Sequence, residues 1–277
     1  MTTPAEPRRE QRLVFGEVAD VYDRQRPSYP STLVDAVLSF AGLGQSTTTA
    51  VAEVGAGTGK ASVLFAARDL RLTCVEPSSA MAAVALRNLA PYKNVEVVQT
   101  SFEDWQPRPH TYGLLYAAQS WHWVAPQARC TKAFDVLGQE GTLALFWNVL
   151  VTRGSDSLER DLEVAYGDLL SDRMRRSHPT ERPDANNWVI DEIGASGLFG
   201  PVTQVREPWQ AIYDTDDWLE LISTQSDHRM LDEDTRAGLF DRIRTAVDRN
   251  GGQVEVDYLT VAYLAQARDP AGREDHR

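Results

Sequence analysis

Between residues 51 and 60 the chain reads VAEVGAGTGK: an apolar run closing on an acid, three glycines at alternate positions, then a lysine where a helical pattern begins. Glycine lets the backbone turn sharply and lets a ligand lie against bare main chain at the amino end of the following helix. Such a stretch reads as the turn after the first strand of an α/β nucleotide-binding sheet. The rest of the chain has to supply that sheet and decide which nucleotide it takes.

Strand and helix patterns alternate around the turn. Apolar runs predict strands at 49–54, 71–76, 95–99, 112–118 and 141–148, with helices at 31–40, 60–67, 78–89 and 126–137. Further helices are expected at 188–196, 215–223 and 234–248, and further strands at 202–212 and 254–265. Pro208 restricts the first of these late strands to an edge or a bulge. This alternation predicts an α/β fold: a doubly wound, mostly parallel, seven-stranded Rossmann-like sheet with an antiparallel last strand and a helical arm and cap. Residues 1–11 read as a disordered tail, 12–150 as the core with an N-terminal lid arm, 151–200 as a helical cap or insertion, and 201–270 as completion of the sheet with lid helices. Charge marks the insertion at 153–186, where RRSHPTERPD (175–184) reads as a loop.

Bulk properties narrow the function classes. A net charge of -12 repels a polyanion, which argues against nucleic acid as partner. No apolar run approaches the ~20 residues that span a membrane, and the polar N-terminus lacks a signal core, so a cytoplasmic protein is expected. Cys74 and Cys130 read as thiols, and no CxxC or His-rich cluster suggests a metal. Oligomeric state is not readable from the pattern.

The glycine spacing selects among nucleotides. A dinucleotide turn requires G-x-G-x-x-G, but here Lys60 stands where the third glycine belongs; a phosphate loop requires Ser or Thr after the lysine, and Ala61 follows. A cofactor without phosphates fits better. Glu76, at the tip of the second strand, can accept hydrogen bonds from two ribose hydroxyls.

These features resemble the class I S-adenosylmethionine-dependent methyltransferases, in the small-molecule subgroup that includes trans-aconitate-type methyltransferases. The similar segments are EVGAGTGK (53–60), VEPSSAM (75–81), SFEDW (101–105) and AAQSWHW (117–123), with YDRQRPSYP (22–30) and TQSDH (224–228). The resemblance implies S-adenosylmethionine as cofactor and S-adenosylhomocysteine as product. It places Gly55, Ala56 and Gly57 beneath the cofactor, Glu53 near its methionine ammonium, Glu76 on the ribose, and Met81, Ser101, Phe102 and Glu103 around adenine. Gln119 would face the methionine end. Tyr22, Arg26 and Tyr29 would close over the cofactor as a lid. Core packing is the plain alternative for Met81 and Phe102, and a solvated arm charge is the plain alternative for Arg26.

Methyl transfer from a sulfonium asks mainly for proximity and a dry site, and a base is needed only if the acceptor must lose a proton. His122 and then His228 are the candidate catalytic residues, with Trp121 and Trp123 as candidate substrate-binding walls. The expected activity is methyl transfer to a small molecule, with carboxylate or hydroxyl oxygen favoured. A peptide or protein methyltransferase and a non-catalytic cofactor-binding protein are the alternatives, and a dehydrogenase is an outsider.

Overall fold

The computed structural model describes residues 19–44, 49–169, 184 and 186–268. The tail at 1–11 and nearly all of the RRSHPTERPD loop lie outside the described residues. The described residues divide into two compact units, one drawn from 28–44, 49–147, 186–207 and 261–268, the other from 19–27, 148–169, 184 and 208–260. They are called here the glycine-loop unit and the second unit.

Seven strands are hydrogen-bonded in the order β3-β2-β1-β4-β5-β7-β6: β1 Ala50–Val54, β2 Arg71–Val75, β3 Val95–Val98, β4 Tyr112–Ala118, β5 Leu137–Arg153, β6 Thr203–Asp214 and β7 Gln253–Gln266. β1 pairs in parallel with β2 and β4, β2 with β3, and β4 with β5. The C-terminal strands are antiparallel, as the sequence predicts. Pro208 sits in β6, which ends the strand order, where a residue without an N–H does least harm.

In the glycine-loop unit, helices α2 (Ser31–Phe40), α3 (Ser62–Ala66), α4 (Ser79–Leu89), α5 (Arg129–Val136) and α7 (Trp188–Ser196) accompany the strands. Leu33, Val34, Val37 and Leu38 form the buried stripe of α2, joining Val51, Phe65, Leu114, Tyr116 and Phe146 in one apolar cluster. Ser78 caps α4, its hydroxyl accepting the Met81 N–H.

The second unit holds α1 (Ala19–Gln25), α6 (Asp156–Tyr166), α8 (Thr215–Ser223), α9 (Ser226–Arg229) and α10 (Glu233–Arg249) around its own core. Ser155, Asp214 and Asp232 cap α6, α8 and α10 by accepting the N–H three residues on. α6 falls within the 151–200 segment expected as a helical cap or insertion. Leu158, Leu162, Ala165 and Tyr166 recur at helical spacing between its charges and are buried.

β5 outruns its expected span of 141–148. Asn148 looks like a stop, but its amide oxygen takes the Thr260 hydroxyl at 2.6 Å. The strand continues through Val149, Leu150 and Val151.

Candidate functional site

The turn after β1 is held by backbone and by one acid. The N–H groups of Gly55 and Ala56 both donate to the Val75 carbonyl, at 2.8 and 3.1 Å, tying the turn to the end of β2. Glu76, buried at that strand tip, accepts the Gly57 N–H on Oε2 and the Ser78 N–H on Oε1, both at 2.8 Å. One carboxylate therefore aligns the glycine turn and the start of α4.

The three glycines do different work. Gly55 has φ +69°, and a Cβ there would meet the Ser120 Cβ at 2.6 Å, so it admits the β4 tip. Gly59 lets the loop pack on α4, where a Cβ would stand 3.6 Å from Ala85. Gly57, at φ +59°, has nothing within 4 Å of its would-be Cβ. Its bare face borders open space beside the Glu76 carboxylate. Thr58 lies between the two glycines with its carbonyl fixed by Asn88 at 2.9 Å.

Glu53 is buried within the sheet. In register it lies between Cys74 and Tyr116, and a parallel pair shares a face. Its Oε2 accepts the Ser62 hydroxyl at 2.5 Å and the Tyr116 hydroxyl at 2.8 Å. Burial pushes its carboxyl up to about 8, more than the two hydrogen bonds lower it, with a smaller upward push from the charge of Glu76. Glu53 is thus a neutral acid at pH 7. Neither partner has a spacing that marks it in the sequence.

Residues 101–105 form the next turn. The Ser101 hydroxyl donates to Asp104 at 2.7 Å and accepts the Asp104 N–H at 3.1 Å. Phe102 is buried beside Trp105 and Trp121, with ring centroids 6.3 and 6.1 Å away. Glu103 accepts the Ala125 N–H at 3.0 Å, and Lys132 donates to the carbonyls of Glu103 and Trp105. Met81 is likewise buried, one turn into α4.

At the tip of β4 the backbone is strained. Gln119 has φ +54°, a left-handed conformation uncommon for a residue with a side chain, and its N–H donates to Phe146 O at 2.9 Å. The next side chain, Ser120, donates to the Val54 carbonyl. Trp121–Trp123 then make one 3-10 turn. Trp121 is wholly buried and backs the turn, Trp123 is half-buried, and His122 is exposed. The His122 and Trp123 rings lie 4.8 Å apart, and the Trp147 indole N–H donates to His122 Nδ1 at 3.4 Å.

Arg129, buried on α5, clamps that turn. It donates to the carbonyls of Trp121 and Val124 at 2.9 and 3.2 Å and pairs with Glu192 of α7 through two nitrogens, Nε at 2.6 Å. Its guanidinium also lies over the rings of Trp188 and Trp121, at 4.7 and 5.6 Å. Arg129, Glu192 and Trp147 escape a reading by motif, because only the fold brings residues 121, 129, 147 and 192 together.

Of the expected lid residues, Tyr29 belongs to the glycine-loop unit, its ring edge-on to Phe146 at 5.0 Å. Tyr22 and Arg26 belong to the second unit, where Arg26 donates to the Thr224 hydroxyl at 2.8 Å and carbonyl at 3.1 Å and lies over the Tyr22 ring. His228 is also in the second unit and is buried, its Nε2 paired with the Tyr166 hydroxyl at 3.0 Å. Burial lowers its pKa to about 4 and raises that of Tyr166 to about 12, so both partners of this hydrogen bond are neutral at pH 7. Among the described residues no helix is long and apolar enough to cross a membrane, and no group of three or more His, Cys, Asp or Glu could hold a metal ion.

Residues 51–141 match the family model described as a methyltransferase domain. Uncharacterized methyltransferases of Mycobacterium bovis and Mycobacterium tuberculosis are 34% identical over 141 residues, 51% of this chain and 54% of theirs. The chain thus spans about half the length of these curated relatives. An uncharacterized methyltransferase-like protein of Schizosaccharomyces pombe is 25% identical over 92% of this chain and 95% of its own. In fold, the chain is similar to a protein of Anaeromyxobacter dehalogenans provisionally described as a type II methyltransferase, with a TM-score of 0.60 at 20% identity over 87% of this chain and 97% of that one. It is also similar to a Haemonchus contortus phosphoethanolamine N-methyltransferase bound to phosphomonomethylethanolamine and S-adenosylhomocysteine, with a TM-score of 0.53 at 13% identity over 92% of this chain and 58% of that one. Residues 51–141 are thus similar to the methyltransferase-domain family, and the sheet that holds them has a Rossmann-like fold that it shares with these solved methyltransferase structures.

Proposed function

We propose that this protein is an enzyme that moves a methyl group from S-adenosylmethionine to a small-molecule acceptor, with carboxylate or hydroxyl oxygen as the favoured acceptor atom. The observation that carries the reading is the cradle at Gly57. Its backbone takes a left-handed φ and is bare toward open space, and its N–H is fastened to Glu76. A phosphate-free nucleoside fits there: the dinucleotide glycine is replaced by Lys60, and an acid stands at the second strand tip. When bound, the group supplies an activated methyl whose S–C bond breaks as the acceptor's lone pair forms the new bond, the electron pair staying on sulfur.

The residues take up distinct tasks in this reading. Glu76, whose two oxygens accept the Gly57 and Ser78 N–H groups, is the acid that would take the ribose hydroxyls. Met81, Ser101, Phe102 and Glu103 form the adenine side. Gln119, at its left-handed position after β4, would meet the methionine end. Glu53 acts from beneath, bracing β1 against Ser62 and Tyr116, so its influence on the methionine ammonium is indirect. Trp123 and His122 face the acceptor. The small phosphorylated amine held by the Haemonchus neighbour supports a small-molecule acceptor, as does the acidic net charge of -12, which disfavours nucleic acid.

Calorimetry with S-adenosylmethionine and S-adenosylhomocysteine tests the reading, followed by an acceptor screen with labelled donor. Glu76→Ala is expected to weaken cofactor binding by about 1.5–3 kcal/mol, the value of a hydrogen bond to a charged group. Undiminished binding removes Glu76 from the ribose, and a wild-type protein that binds NADH but neither sulfur ligand overturns the reading. Gln119→Gly should separate strain from function. Relief of the left-handed φ and the added chain entropy nearly cancel, so stability changes by no more than about 1 kcal/mol, while cofactor affinity falls. A thermal scan beside the same calorimetry reads both, and equal affinity in the variant assigns the strain no role in binding.

A further inference from the structure

The Trp147–His122 contact carries an inference that rests on the proposed methyl transfer and deepens it. An indole N–H can only donate, so the nitrogen facing it, His122 Nδ1, must present its lone pair. In the neutral ring the proton is then on Nε2. Were the proton on Nδ1, two N–H groups would face each other.

The surroundings hold Trp147 in place. Its indole is buried and meets the Trp188 ring edge-on at 6.2 Å and the Tyr263 ring at 6.0 Å. Tyr263 is itself anchored, donating to the Asn187 side chain at 3.0 Å. From the other side, Arg129 grips the carbonyls that flank the His122 turn. Both rings of the pair are therefore held by the glycine-loop unit, His122 in the turn after β4 and Trp147 within β5.

We propose that Trp147 is a positioning residue that locks His122 as an Nε2–H donor, so that His122 steadies the acceptor by a donated hydrogen bond and does not act as a general base. To take a proton at Nε2 the ring would first have to give up the Trp147 bond. The acceptor is accordingly an oxyanion that arrives ionised, from which no proton leaves during transfer. A phenol or alcohol that needs a base is disfavoured at this site.

Long-range proton–nitrogen NMR on the histidine-labelled protein reads the tautomer without any turnover. The expected wild-type spectrum has His122 Nε2 as the protonated nitrogen and Nδ1 as the bare one. Trp147→Phe keeps a ring for the edge-on contacts but lacks the N–H, and should give a tautomer mixture with reduced kcat/KM and unchanged cofactor affinity. His122→Gln retains a donor at the Nε2 position but cannot take a proton. It should keep a rate well above that of His122→Ala, and lose much less than the about 100-fold or more that loss of a general base costs. A proton on Nδ1 in the wild type, or equal loss in the Gln and Ala variants, overturns the inference while leaving the methyl-transfer reading intact. Failure of S-adenosylmethionine to bind sinks that reading and the acceptor class with it, while the nitrogen shifts still decide the Trp147–His122 assignment.

Discussion

Arg129→Met should lower the unfolding free energy by about 3–5 kcal/mol, the cost of leaving one member of a buried ion pair alone. The arginine side chain is 6% exposed and Glu192 is 22% exposed, so water can repair little of the loss. The carbonyls of Trp121 and Val124 lose their donor in the same stroke, and the methionine stem only partly refills the gap between Trp121 and Trp188. Denaturant unfolding of the single variants and of Arg129→Met with Glu192→Leu forms a cycle. The double variant should recover part of the loss, because it buries no lone charge. Singles that each cost under about 1 kcal/mol would put the pair in the class of exposed salt bridges and remove the clamp. The clamp also holds the His122 turn, so activity should fall in Arg129→Met even under conditions where the variant is fully folded.

Glu53→Gln should make the protein more stable at alkaline pH, with a gap that closes toward pH 5. The Glu53 carboxyl rises from 4.5 to about 8 on folding, mainly through burial. A raised acid keeps its proton in the native state while the unfolded chain releases it. Its favourable contribution is complete below the unfolded value of 4.5 and is lost progressively up to about 8. Within that window the wild type should lose up to about 1.4 kcal/mol per pH unit from this one group. Glutamine keeps an oxygen for the Ser62 and Tyr116 hydroxyls and does not titrate, so the slope should vanish in the variant. Melting temperatures of both proteins from pH 5 to 9 measure this. Parallel curves would mean that Glu53 is ionised in its buried place.

Much of the fold is legible along the chain because its determinants are local. The glycine turn, the short apolar runs and the cap signals fall within a few residues of the structures they make, and strands 1 to 4 lie within a residue or so of their expected bounds. Errors gather where a local signal has a distant partner. Asn148 reads as a stop until Thr260 satisfies it, and the charged face of α6 hides a buried stripe that only a facing core reveals. At the candidate site the same division holds. Glu76 is legible from its distance to Gly55, yet its bonds to two backbone N–H groups are not. Glu53, which the resemblance sets near a ligand, accepts the hydroxyls of Ser62 and of Tyr116, its partner in parallel register, and neither bond is marked in the sequence.

From the sequence alone come the α/β class, the methyltransferase resemblance and a cofactor without phosphates, all carried by contiguous residues whose spacing acts through the backbone. The tertiary structure decided what those residues touch. It joined Glu53 to Ser62 and Tyr116 in a buried site that raises its carboxyl pKa, gave Gly55, Gly57 and Gly59 three separate duties, and brought Arg129, Trp147 and Glu192 to the His122 turn. The reason is physical: burial and hydrogen-bond partners arise from strand register and helix packing, which join residues far apart in the chain, and they alone set protonation, tautomer and clamp.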